Sequence, residues 1–173
     1  MSEKKSDRLE ELKYISSLVA DWLKHLENKN TTFLVFLTAA ITLIVTLLSS
    51  NILTGVWVCV ISIATIISIC SLLISFVPCI TQNTKGKTKQ EIKNIIFFGE
   101  IAKTNLDAYI DALSKTEGIC ENSVEFTNYE KMIVSDIWNN SKIAVWKARW
   151  FKWAIFVFLL GVITATVFFF VFK

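Results

Sequence analysis

From Thr31 to Thr84 the chain carries no charged residue of either sign, and from Trp153 to Phe172 it again carries none. A helix needs about 20 apolar residues to cross the hydrocarbon core of a bilayer. The first charge-free stretch is long enough for two crossings and the second for one. The expected class is an all-α membrane protein, with three transmembrane helices and a small cytoplasmic helical bundle continuous with them. The chain is 53% hydrophobic and 19% charged with a mean hydropathy of +0.51, far more apolar than a soluble domain of 173 residues. Its net charge of +3 is too small to argue for nucleic acid.

Residues 1–30 read as a cytoplasmic amphipathic helix. Ser6 is its expected N-cap, and Leu9, Leu12, Ile15, Val19, Trp22, Leu23 and Leu26 recur at helical spacing. Arg8, Glu10, Glu11, Lys13, Asp21, Lys24 and Glu27 occupy the other face. Charges of mixed sign favour packing on partner helices over lying on a membrane, with the register running on into the first span. Polar residues open the chain and the apolar run after them is too long for a signal peptide, so no cleavable leader is expected. Residues 31–78 form a transmembrane hairpin with spans at about 31–49 and 55–77. Ser50–Gly55 makes the turn, and Pro78, the only proline, stands where the second helix should stop.

Residues 79–152 form the cytoplasmic helical region. Thr81–Lys89 reads as a linker bearing Lys85, Lys87 and Lys89. Asn94–Ala102 is apolar but too short to span, as expected of a buried, bent segment. Thr104–Lys115 reads as a short helix opened by Thr104 and Asp107, with Leu106, Tyr109, Ile110 and Leu113 on one face and Gly118 closing it. Thr127 and Glu130 fit a capping box, from which a helix runs through Met132, Ile133, Ile137, Trp138, Val145 and Trp146 towards the membrane. Lys147, Arg149 and Lys152 with Trp150 and Trp153 form a basic, aromatic collar of the kind found at bilayer interfaces. The third span is 153–172.

In this arrangement 17 of the 18 Lys and Arg residues fall on one side of the membrane: six before the first span and eleven between the second and third. Positive residues mark the cytoplasmic side. The N-terminus and 79–152 are therefore expected in the cytoplasm and the C-terminus in the periplasm, in a multi-pass inner-membrane protein.

The residues hold no catalytic constellation. His25 is the single histidine, and the five glycines are too scattered for a phosphate loop. Cys59, Cys70, Cys79 and Cys120 lack zinc spacing and read as small buried apolar residues. No enzyme, metal or cofactor is implied. The spans also lack the ionisable groups of proton relays. Thr38, Thr42 and Thr46 lie at four-residue spacing on one helix face, suited to helix packing or to lining a pore in an oligomer. Phe97 and Phe98 suit a core or a stack on a nucleobase. Lys147 and Arg149 suit lipid headgroups or an anionic ligand, and Lys29, in the Glu27-Asn28-Lys29-Asn30 corner, suits solvation of a helix end or contact with a phosphate.

Three segments together resemble the Pycsar effector transmembrane family. They are Glu27-Asn28-Lys29 before the first span, Asn94-Ile-Ile-Phe97-Phe98-Gly99-Glu100-Ile-Ala102, and Lys147-Ala-Arg149-Trp150-Phe-Lys152 leading into the last span. The likeness covers nearly the whole chain. It implies an anti-phage membrane effector activated by a cyclic pyrimidine mononucleotide (cCMP or cUMP) from a partner nucleotide cyclase. Inner-membrane damage and abortive infection would follow. Lys29, Phe97, Phe98, Lys147 and Arg149 are the candidate ligand contacts, and a homo-oligomer in the lipid bilayer is expected, with no nucleic-acid partner. The rival reading is a ligand-independent pore-forming or scaffolding membrane protein.

Overall fold

The computed structural model describes residues 2–49, 56–77, 94–116 and 126–171. Their regular structure is all helical: α1 (Ser2–Ser49), α2 (Val56–Phe76), α3 (Phe98–Ile101), α4 (Leu106–Ser114) and α5 (Asn128–Val171). α1 contains neither glycine nor proline, and α5 contains only Gly161, so nothing in the backbone interrupts helices of 48 and 44 residues. At 1.5 Å per residue, α1 is about 72 Å long and α5 about 66 Å, twice a bilayer core or more. The 21 residues of α2 match one crossing. These three helices are long and apolar enough to cross a membrane. Ser6 therefore lies inside α1 instead of capping it. An unbroken register of good helix formers carries the helix past it. Ser50–Gly55, Pro78, Thr81–Lys89, Gly118, Cys79 and Cys120 lie outside the described residues.

The chain divides into two compact units, Met1–His25 with Cys79–Trp146, and Leu26–Pro78 with Lys147–Lys173. The first has an ordinary apolar core. Leu12, Ile15 and Val19 of α1 meet Val134, Ile137 and Trp138 of α5, with Ile101, Tyr109, Leu113 and Phe126 completing it and Trp22 and Ile110 packed alongside. The spacing of three and four residues along α1 keeps these side chains on one face. α4 starts two residues later than Thr104. Asn105 is its cap, the side-chain oxygen accepting from the Ala108 amide at 2.7 Å, while the Thr104 hydroxyl donates to the Ile101 carbonyl. The amide oxygen satisfies an otherwise unpaired helix-start donor. Asn105→Ala should cost about 1 kcal/mol, read as a lowered unfolding midpoint.

The second unit is built the other way round. Its buried cluster is small (Leu37, Leu72 and Ala154, ringed by Phe33, Leu34, Ile69, Phe151 and Phe158). Its outward faces are apolar, with Val35, Leu43, Ile63, Ile66, Phe156 and Ile163 all exposed. That distribution suits a surface solvated by hydrocarbon. Cys59 and Cys70 are on this outward surface, not buried as expected, because α2 turns only one face to its neighbours. That inner face holds Val58 and Leu72 and is otherwise small or polar: Ala64, Thr65, Ser68, Ser71 and Ser75. Ser68 donates to the Ala154 carbonyl at 3.0 Å and Ser75 to the Lys147 carbonyl at 3.5 Å, which sets α2 antiparallel to this part of α5. At Gly161 a Cβ would stand 2.2 Å from the Cβ of Ala64, so the glycine is what lets the two backbones approach.

Candidate functional site

In the first unit, the Asn94 side chain accepts from the amides of Ile96 and Phe97 at 2.9 and 3.0 Å, bending the backbone into α3. The bend sets Phe97 and Phe98 side by side, with ring centroids 4.9 Å apart. Trp22 of α1 packs on both, at 5.9 and 5.3 Å. Gly99 is required by this arrangement, since a Cβ there would lie 2.5 Å from the Phe97 ring. The segment is bent as expected but only partly buried: Ile101 is in the core, whereas Phe97 is 44% exposed. Fixed rings with an open face can stack a planar base. The support behind them is tight. Tyr109 donates its hydroxyl to the Ile95 carbonyl at 3.1 Å, and Trp138 its indole N–H to the Thr104 carbonyl at 2.9 Å. Burial pushes the Tyr109 phenol well above its ordinary range. The Lys142 ammonium sits over the Trp138 ring at 3.5 Å, and burial lowers its pKa.

Arg8, grouped with the polar face for its charge, instead turns inward on the stripe of Leu12, Ile15 and Val19. Its Nε and Nη2 bond the two Glu130 oxygens at 2.7 and 2.8 Å, with 6% of Arg8 and 2% of Glu130 exposed. The guanidinium also lies 5.3 Å over the Phe126 ring. Glu130 completes the capping box by accepting from the Thr127 amide and hydroxyl at 2.6 and 2.7 Å. Burial alone would raise the Glu130 pKa, but the bonds from Arg8 and Thr127 and the Arg8 charge outweigh it and hold the carboxyl below its usual 4.5. A carboxyl with a depressed native pKa contributes stability that is complete above its unfolded value and lost as pH falls through the native one. The unfolding midpoint should therefore drop below pH 4.5, and Glu130→Gln should remove part of that drop.

In the second unit, Lys147 is 7% exposed and its ammonium donates to the Glu27 carboxylate. Asn30, wholly buried, donates its amide to the Ser75 hydroxyl at 2.7 Å. Lys29 and Arg149 are exposed. Thr38, Thr42 and Thr46 are exposed too, and each hydroxyl donates to the carbonyl four residues earlier at 2.8–3.0 Å. Of the residues singled out from sequence, Phe97 and Phe98 stand together in the first unit, and Lys29, Lys147 and Arg149 belong to the second. Trp22, Arg8, Asn30 and Ser75 were missed as site residues. Arg8 offered a signal in its spacing to Leu12, Ile15 and Val19, and Asn30 in closing the polar corner before the charge-free stretch. Among the described residues no cluster of His, Cys, Asp and Glu is fit to hold a metal ion.

No curated protein and no solved structure matches the chain. The family model described as the Pycsar effector protein domain matches residues 11–172, which takes in the aromatic cluster, the capping box, α2, α5 and all of α1 from residue 11 onward. The chain belongs to the Pycsar effector family, membrane effectors of anti-phage defence.

Proposed function

We propose that this chain is a ligand-gated effector that breaches the bacterial inner membrane when a partner cyclase produces cCMP or cUMP. The observation that carries the reading is the family match over residues 11–172. The segregation of Lys and Arg supports an orientation with the N-terminus and 79–152 in the cytoplasm, where such a messenger appears, and the C-terminus in the periplasm. The pyrimidine stacks on the aromatic cluster of Phe97, which is exposed, and Phe98, which is half-buried, both packed against Trp22. Lys29 and Arg149, in the second unit, are exposed cations suited to the phosphate of a lipid headgroup. Lys147 reaches an anion only by exchanging its Glu27 partner.

Ligand shifts such an assembly only by binding its open state more tightly than its closed one. α1 and α5 each run without a break from residues of the first unit into the second, which gives binding a covalent route to the membrane helices. The threonine strip faces outward in a single chain, so Thr38, Thr42 and Thr46 line a pore only when several copies assemble. The purified chain in liposomes should release trapped potassium on addition of cCMP or cUMP, and Phe97→Ala should weaken the response. Equal release with and without nucleotide sinks ligand gating and favours the ligand-independent pore.

A further inference from the structure

One polar cluster in the second unit shares only Lys147 with the ligand reading. At the edge of the charge-free stretch, each pair of its three long helices is joined once. Asn30 of α1 donates to Ser75 of α2 at 2.7 Å, Ser75 donates to the Lys147 carbonyl of α5 at 3.5 Å, and the Lys147 ammonium returns to Glu27 of α1. Ser75 is one residue from the end of α2. Next to this triangle in sequence lies the apolar cluster of Leu37, Leu72 and Ala154, with no exposed surface on any of the three.

We propose that Glu27, Asn30, Ser75 and Lys147 form a latch that holds the three membrane helices closed, and that activation opens it. Two features distinguish a latch from a permanent tie. The Asn30 side-chain oxygen is fully buried and has no hydrogen-bond partner among the described residues, so the closed arrangement leaves an acceptor unsatisfied that water would satisfy once the helices part. The Ser75–Lys147 bond is at the long limit for a hydrogen bond and is easily given up. While the latch is shut, the apolar cluster excludes water, and when it opens the unsatisfied amide helps to wet the gap.

The proposal rests on the reading that the chain is a ligand-gated membrane effector, and the test separates the two. The full-length chain is placed in phosphatidylethanolamine/phosphatidylglycerol liposomes loaded with potassium. Asn30→Leu and Ser75→Ala are compared with the unmodified chain before any nucleotide is added, after circular dichroism and size exclusion have shown each variant folded. Basal efflux should rise about ten-fold, a shift of about 1.4 kcal/mol in the closed–open balance. Lys147→Glu should leak likewise, and Glu27→Lys with Lys147→Glu should return efflux to within about two-fold of the unmodified chain, because the swapped pair attracts again. Folded Asn30→Leu and Ser75→Ala chains as tight as the unmodified one overturn the latch. Leaky variants alongside an unmodified chain indifferent to cCMP and cUMP uphold the latch and remove the ligand reading instead.

Discussion

Arg8→Met should lower the stability of the folded chain by about 3–5 kcal/mol, the largest single-site effect expected in the first unit. The substitution leaves the Glu130 carboxylate buried with its guanidinium partner gone, and a lone buried charge is far costlier than a missing pair. Glu130 keeps the Thr127 amide and hydroxyl, which are too weak to replace a bidentate cation. Adding Glu130→Gln to Arg8→Met should recover most of the loss, because glutamine is neutral and still serves a capping box. Denaturation in detergent, followed by the summed fluorescence of the six tryptophans, measures both. If Arg8→Met lies within about 1 kcal/mol of the parent, the pair behaves as a solvated surface bridge.

Gly161→Leu should be nearly as damaging, through geometry instead of charge. Even the first side-chain carbon meets the Ala64 Cβ at 2.2 Å, so α2 and α5 must separate or rotate. Separation strains the Ser68–Ala154 bond, which is formed in the same seam. Overpacking of this kind costs about 1–3 kcal/mol, more where backbones are the parts that must move. Gly161→Ala combined with Ala64→Gly transfers the methyl group across the seam and should restore the unfolding midpoint of Gly161→Ala alone towards that of the parent. A Gly161→Leu chain with an unchanged midpoint would show that the two helices do not meet there.

The capping box and the aromatic segment show what local sequence can carry. Thr127 and Glu130 are three residues apart, and their reciprocal bonding depends on nothing distant, so it was readable in advance. Asn94 likewise acts on its own next residues. Arg8 and Glu130 are 122 positions apart. Arg8 stands four, seven and eleven residues before Leu12, Ile15 and Val19, so spacing alone puts it on their buried stripe. Its charge argued for the polar face, and only a carboxylate delivered by another helix makes its burial tolerable. The burial of Cys59 and Cys70 was misjudged for a related reason. In a soluble core apolar residues go inside, but a three-helix unit has too little interior for them and leaves them facing outward.

By itself the sequence determined that the chain is helical, that three segments can cross a membrane, and where Lys and Arg divide around them. Those properties follow from hydrophobicity, charge and backbone propensity, each of which is summed along the chain without reference to distant neighbours. Tertiary structure alone decided which polar groups are buried together. Arg8 with Glu130, and Asn30 with Ser75, are pairings between helices whose rotation and offset are set by packing, and no residue-by-residue preference encodes either.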